Sequence, residues 1–268
     1  MPVPWLHKQC IAIKDKFNIK SLVMKNSNQS HLVLLVVTSL MFIGLFSGCT
    51  GILKATFQND TIGALPDKTL PGNPTGDAIS YAAEIETQLE VVATPSDAAK
   101  KSLRYQSVPV SGNIGGHGSW LGFRGKSTNF AKPVTFIWTA QKIFNASGSD
   151  LNIDCSDGSG VVAARIRILK TGDVILVDDI ATGKGTNIGS IPNNERHTFM
   201  LTVDLPNEVY NISVLKPSGN IVNNGNTLLT ENTALFHNPA NPSVSFRYDV
   251  FSSSQQYIID EVFINRRN

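Results

Sequence analysis

The sequence predicts an all-β protein whose main body is an antiparallel β-sandwich, and three observations predict it. Past Asp77, apolar residues recur at every second position in short runs, the period of a strand with one face in a core. Clusters of Gly, Pro, Asn and Asp, the residues of tight turns, separate those runs. Sustained helical spacing is missing there, with only a trace of it in "SDAAKKSL" (96–103). At 268 residues the chain is long enough to enclose a proper core.

The N-terminal part reads differently. His31 to Phe46 is an apolar run of 16 residues, the size of a secretory h-region and short for a membrane span. Lys25 precedes it, and the small residues Ser47 and Gly48 lead into Cys49. The stretch "LFSGC" resembles the lipobox of bacterial lipoproteins, with Phe46 a departure where Leu is usual. The resemblance implies cleavage before Cys49 and lipidation of its thiol. Residues 1–48 are then a signal peptide, 49–57 a lipidated tether and 58–268 the sandwich. Residues 1–23 are longer than an n-region needs, so translation is expected to start at Met24.

Cleavage also changes the charge. The formal charge of +2 includes five lysines before Cys49 against Asp15 alone, and their removal leaves about −2 by direct count. Nothing in that balance supports nucleic-acid binding. Of three cysteines, Cys10 leaves with the precursor and Cys49 carries the lipid. Cys155 is then alone, which excludes an intramolecular disulfide. With Asp154 and Asp157 beside it, Cys155 reads as a small buried residue, not a nucleophile.

The strands follow in order. The loop 59–77 carries Pro66, Pro71 and Pro74. In "PVTFIWTAQKIF", Val134, Phe136 and Trp138 share the core-facing phase. "VVAARIRILKTGDVILVDDI" is a hairpin turning at Thr171-Gly172-Asp173, with Ala164, Ile166 and Ile168 on one face and Arg165 and Arg167 on the other. Phe199, Leu201 and Val203 point inward, Leu205-Pro206-Asn207-Glu208 turns, and Tyr210, Ile212 and Val214 continue. Lys216-Pro217-Ser218-Gly219 is another turn, and "SVSFRYDVFSSS" and "YIIDEVFINR" complete the series.

The segments "TFQNDTIGALP", "ERHTFMLTVDLPNEVYNISVLKPSG" and "YIIDEVFINR" together resemble the concanavalin A-like lectin/glucanase superfamily of jelly rolls. The likeness is one of strand pattern over most of residues 57–268. It implies a jelly roll, and a superfamily holding glycan-binding modules, polysaccharide hydrolases and lyases, and adhesive domains. Fold alone does not choose among these.

The chemistry is sparse. The superfamily's hydrolases carry Glu-x-Asp-x-(x)-Glu on one strand, and "EIETQLE" departs from it, with Glu86 in the middle and Glu90 too far along. It reads as a polar strand face alternating with Ile85 and Leu89, and the arginine, histidine and tyrosine motifs of lyase jelly rolls are missing. Glycan binding has better candidates. The Gly-rich stretch "GNIGGHGSWLGFRG" holds His117, Trp120 and Arg124, with Trp120 either a stacking platform or a core residue. Arg165 and Arg167 share a strand face, as a grip for an anion or as ion-paired surface, and Arg247 with Asp249 repeats the arrangement. The resemblance further implies a structural calcium between first and last strands, with Asn59, Asp60 and Asp260 as oxygen ligands. Asp260 is read as inward, in phase with Ile258, Val262 and Ile264.

The expectation is therefore a lipid-anchored protein of the bacterial cell envelope, held to its membrane through Cys49 and binding glycan or another envelope component without catalysis. A polysaccharide-active enzyme and a purely structural or adhesive lipoprotein are the alternatives. Thr50, in place of the Asp that retains many lipoproteins in the inner membrane, favours the outer membrane.

Overall fold

A computed structural model describes residues 49–67, 79–82, 89–107, 120–126, 128, 131–144, 148–157, 160–229, 241–248 and 255–267. Within them, every regular element is a strand. In chain order these are β1 (Cys49–Thr56), β2 (Ile79–Ala82), β3 (Leu89–Thr94), β4 (Asp97–Ser107), β5 (Trp120–Arg124), β6 (Val134–Ile143), β7 (Leu151–Ser156) and β8 (Val162–Ile168). They continue as β9 (Asp173–Asp179), β10 (Lys184–Ser190), β11 (Arg196–Asp204), β12 (Val209–Leu215), β13 (Ile221–Thr227), β14 (Ser243–Tyr248) and β15 (Gln255–Arg267).

They form two sheets. One runs β13-β12-β11-β6-β15-β4-β3, with β1 also on β15; the other runs β10-β9-β8-β7-β14-β5-β2. The chain is thus an antiparallel β-sandwich, the fold class the sequence predicts. Alternation explains why the sheets meet: Phe136, Trp138, Phe199 and Leu201 of one and Ile153, Ile166, Val244 and Phe246 of the other are wholly buried. Aromatic rings bind the two layers together. Trp138 meets Phe246 edge-on at 5.9 Å between centroids, and Tyr105 stacks on Tyr248 at 5.0 Å.

The predicted turns form as read. Gly172 donates to Leu169 C=O in the β8–β9 turn at φ 100°, and a Cβ there would meet Ile191 O at 2.5 Å. Glu208 closes the β11–β12 turn on Leu205, and Gly219 closes the next on Lys216. Cys155 is fully buried, and burial, with Asp154 nearby, pushes its thiol well above the ordinary range.

Three segments differ from the sequence reading. The residues taken as a tether, 49–57, include strand β1, whose Ile52, Leu53 and Ala55 are buried, as is Phe57 after it. An apolar strand beside β15 gains more from burial than from hanging in water. "SDAAKKSL" lies largely in strand β4, because pairing with β3 and β15 outweighs its weak helical spacing. The third is Asp260. The register of β15 on β6 shifts between Ile259 and Glu261, which makes Asp260 the extra residue of a bulge. Tyr257 and Ile259 face the core before it and Val262 and Ile264 after it, while Ile258 pairs with Gln141 in the opposite row. Asp260 therefore leaves the core phase and accepts from Ser102 Oγ at 2.8 Å and Arg196 Nε at 2.7 Å.

Candidate functional site

In the sheet β10-β9-β8-β7-β14-β5-β2, strands β8, β14 and the end of β5 alternate buried residues with half-buried or exposed ones. On β5, Leu121 and Phe123 are buried and Arg124 is exposed, so Arg124 belongs to the outer row. On β14, Val244 and Phe246 are buried and Arg247 is exposed. On β8, Ala164, Ile166 and Ile168 are buried and Arg165 and Arg167 stand outside.

Strand pairing aligns these positions. Trp120 is opposite Arg247, Arg247 is opposite Asn152, and Asn152 is opposite Arg167. The neighbouring row runs Gly122, Ser245, Asp154 and Arg165. A third begins with Arg124 opposite Ser243, whose hydroxyl lies 2.9 Å from that of Ser156. Three of the five residues singled out for glycan binding, Arg124, Arg165 and Arg167, thus fall on one face, and Trp120 is paired in register with Arg247 of the same face. His117 lies outside the described residues.

Two carboxylates order that face. Arg165 grips Asp154 with two parallel bonds, Nε to Oδ1 at 2.6 Å and Nη2 to Oδ2 at 2.8 Å. Arg167 Nη2 reaches Asp150 Oδ2 at 2.7 Å, while Asp150 Oδ1 accepts from Lys170 N–H at 2.9 Å. Both pairs are partly buried, which fixes the arginines as a charged but locally balanced floor. Arg247 has no ion-pair partner among the described residues.

Elsewhere the candidates are dispersed. Glu90 of "EIETQLE" is ion-paired to Arg104, and Glu84 and Glu86 lie outside the described residues. Asn59 is exposed, and Asp60 is buried with Oδ1 accepting from Asp67 N–H at 2.8 Å. Lys101 Nζ donates to the carbonyls of Gln58 and Asp60 at 2.9 and 2.6 Å. A hard cation shared by these residues would compete with that ammonium, and with Arg196 at Asp260, while Asp60 Oδ2 is buried without a hydrogen-bond partner among the described residues. Among the described residues no three His, Cys, Asp or Glu side chains are grouped to hold a metal. On the opposite sheet, Arg196, Thr198, Leu215, Lys216, Pro217 and Asn220 line an open depression.

The sequence reading passed over Asn152 and left Arg247 outside its site. The signal for Arg247 was its phase with Ser245 in "SVSFRY". That β14 lies between β5 and β7 is a long-range pairing that no local pattern carries.

No protein-family model matches the chain, and no curated protein matches it. Among solved structures, a Shewanella oneidensis protein of unknown function is similar over 92% of this chain and 97% of its own, with 9% identity and a TM-score of 0.50. That likeness is one of fold. Lectin II from Ulex europaeus aligns over 81% of this chain and 100% of its own, at 11% identity and a TM-score of 0.46. A sialidase aligns over 66% of this chain at 13% identity and a TM-score of 0.45, and the chain spans only 17% of that enzyme.

Proposed function

We propose that this chain is a lipoprotein of the bacterial cell envelope, anchored through Cys49, whose sandwich binds glycan on the outer face of the sheet that contains β5, β14, β7 and β8. The observation that carries the binding reading is the row Trp120, Arg247, Asn152, Arg167, set side by side by strand register. Strands lie about 4.8 Å apart, so register sets an aromatic residue, an exposed cation and a largely buried amide at successive steps across the sheet. Sugar rings are recognised by that mixture of a flat apolar group and directed hydrogen bonds. Binding without hydrolysis is the better reading because Asp150 and Asp154 are each engaged by an arginine. Two carboxylates free to flank a scissile bond are what hydrolysis requires.

The anchor reading rests on the apolar run 31–46 and "LFSGC". Mass spectrometry of the N-terminal peptide tests it: a diacylglyceryl group on Cys49 is expected, and a Cys49→Ser variant stays as unprocessed precursor. A glycan array run with wild type and Trp120→Ala tests the binding reading. Loss of signal in the variant at unchanged thermal stability is expected; release of reducing ends from any bound polysaccharide would favour the enzyme instead.

A further inference from the structure

Among the described residues of β5, β14, β7 and β8 and the residue before β7, the face described above holds four arginines, Arg124, Arg165, Arg167 and Arg247, and two carboxylates, Asp150 and Asp154. Their pairing is uneven. Asp154 satisfies Arg165 through both its oxygens, and Asp150 takes Arg167, so these two arginines bring no net charge to the surface. Arg247 sits between Trp120 and Asn152 in register, exposed, with no carboxylate of the described residues set against it. A guanidinium carries five N–H donors in a planar fork that matches the two oxygens of a carboxylate.

We propose that the glycan bound here is acidic, a polymer of uronic-acid type, and that Arg247 takes its sugar carboxylate. This rests on the glycan-binding reading and narrows it to a ligand class by charge complementarity. Ser245, two positions before Arg247 on β14 and half-buried, supplies a hydroxyl for a sugar hydroxyl beside the carboxylate. The paired arginines, Arg165 and Arg167, position the surface and do not contact the acid. Arg165 and Arg167 are each neutralised by a carboxylate, and Arg247 is not by any described residue.

The test uses the full chain in non-ionic detergent and three polyuronates of different stereochemistry: polygalacturonate, alginate and polyglucuronate. Each is compared with its carboxyl-methyl-esterified form, which keeps the sugars and removes the charge. At least one acid form is expected to bind about tenfold more tightly than its ester, the range of a hydrogen bond to a charged group. Arg247→Ala is expected to lose that preference at an unchanged thermal midpoint, Arg247→Lys to keep part of it, and Lys216→Ala on the opposite sheet to keep all of it. Equal binding of acid and ester, or an acid preference that survives Arg247→Ala, overturns the acidic assignment and leaves glycan binding standing. Binding to anionic phospholipid vesicles with none to the polyuronates also overturns it. A blank result for the polyuronates, their esters and a neutral glycan array overturns both readings.

Discussion

The indole N–H of Trp138 donates to the hydroxyl of Tyr257 at 3.1 Å in the middle of the core. An indole N–H can only donate, so the Tyr257 oxygen accepts, and its own O–H is left to donate to His197 Nε2 at 2.9 Å. That makes His197 Nδ1 the protonated nitrogen, donating to the Glu195 carbonyl at 3.0 Å. Three wholly or almost wholly buried polar side chains thus form one directed chain with a single consistent arrangement. Tyr257→Phe removes its middle member and orphans Trp138 Nε1 and His197 Nε2. A loss of about 1–3 kcal/mol per orphaned group is expected in denaturant unfolding at neutral pH.

The same chain sets an acid limit. Burial, acting against the pull of the Glu195 carbonyl, lowers His197 from 6.5 to about 4. Between those values the unfolded chain holds a proton that the folded one refuses, so stability falls as pH drops through that window and levels off below it. The loss amounts to about 3 kcal/mol. His197→Gln should flatten the window, measured as unfolding midpoint against pH; an unaltered slope in that variant would assign the effect to another group.

Lys142 gives the alkaline counterpart. It stands in the core-facing column of β6 after Trp138 and Ala140, and only 1% of it is exposed. Its ammonium donates to Asn193 Oδ1 at 2.9 Å and lies 5.0 Å from the centre of the Phe144 ring. Burial lowers it from 10.5 to about 8, with Asp173 opposing. The unfolded chain again binds the extra proton, so stability is expected to rise as pH climbs from 8 to 10.5, and Lys142→Met should abolish the rise.

The bulge at Asp260 yields a prediction about ions. Arg196 and Ser102 fill its two oxygens, and Lys101 occupies the Gln58 and Asp60 carbonyls. With protein cations already in place, thermal unfolding should be the same in EDTA as in excess calcium. A calcium-dependent midpoint would mean that the ion displaces those side chains. Asp260→Ala should cost about 1–3 kcal/mol, since Ser102 is wholly buried and loses a charged acceptor.

How much of this was readable beforehand depended on range. The inward phases of Val134, Phe136, Trp138, Phe199, Leu201 and Val203, and the turns at Gly172 and Gly219, follow from patterns within a few residues and stand in the structure. Asp260 was assigned to the wrong face because a two-residue period cannot announce where a bulge resets it. The candidate site was legible as residue types, in Trp120, Arg124, Arg165 and Arg167. It was not legible as a surface, because β14 joins β5 to β7 across more than 80 positions of chain. Arg247, Asn152 and the carboxylates that neutralise Arg165 and Arg167 become meaningful only once those strands are side by side.

Strand β1 bears on how the molecule would work at a membrane. Ile52, three positions after Cys49, is already packed in the sandwich, and three residues extend about 10 Å at most. A lipid on Cys49, if the proposed anchor is there, would be joined to the sandwich by a short link and not by a long stalk. Such a link would keep the sandwich close to whatever the lipid enters. Lengthening the segment between Cys49 and Ile52 would change its reach without altering the row Arg247, Asn152, Arg167 on the other sheet.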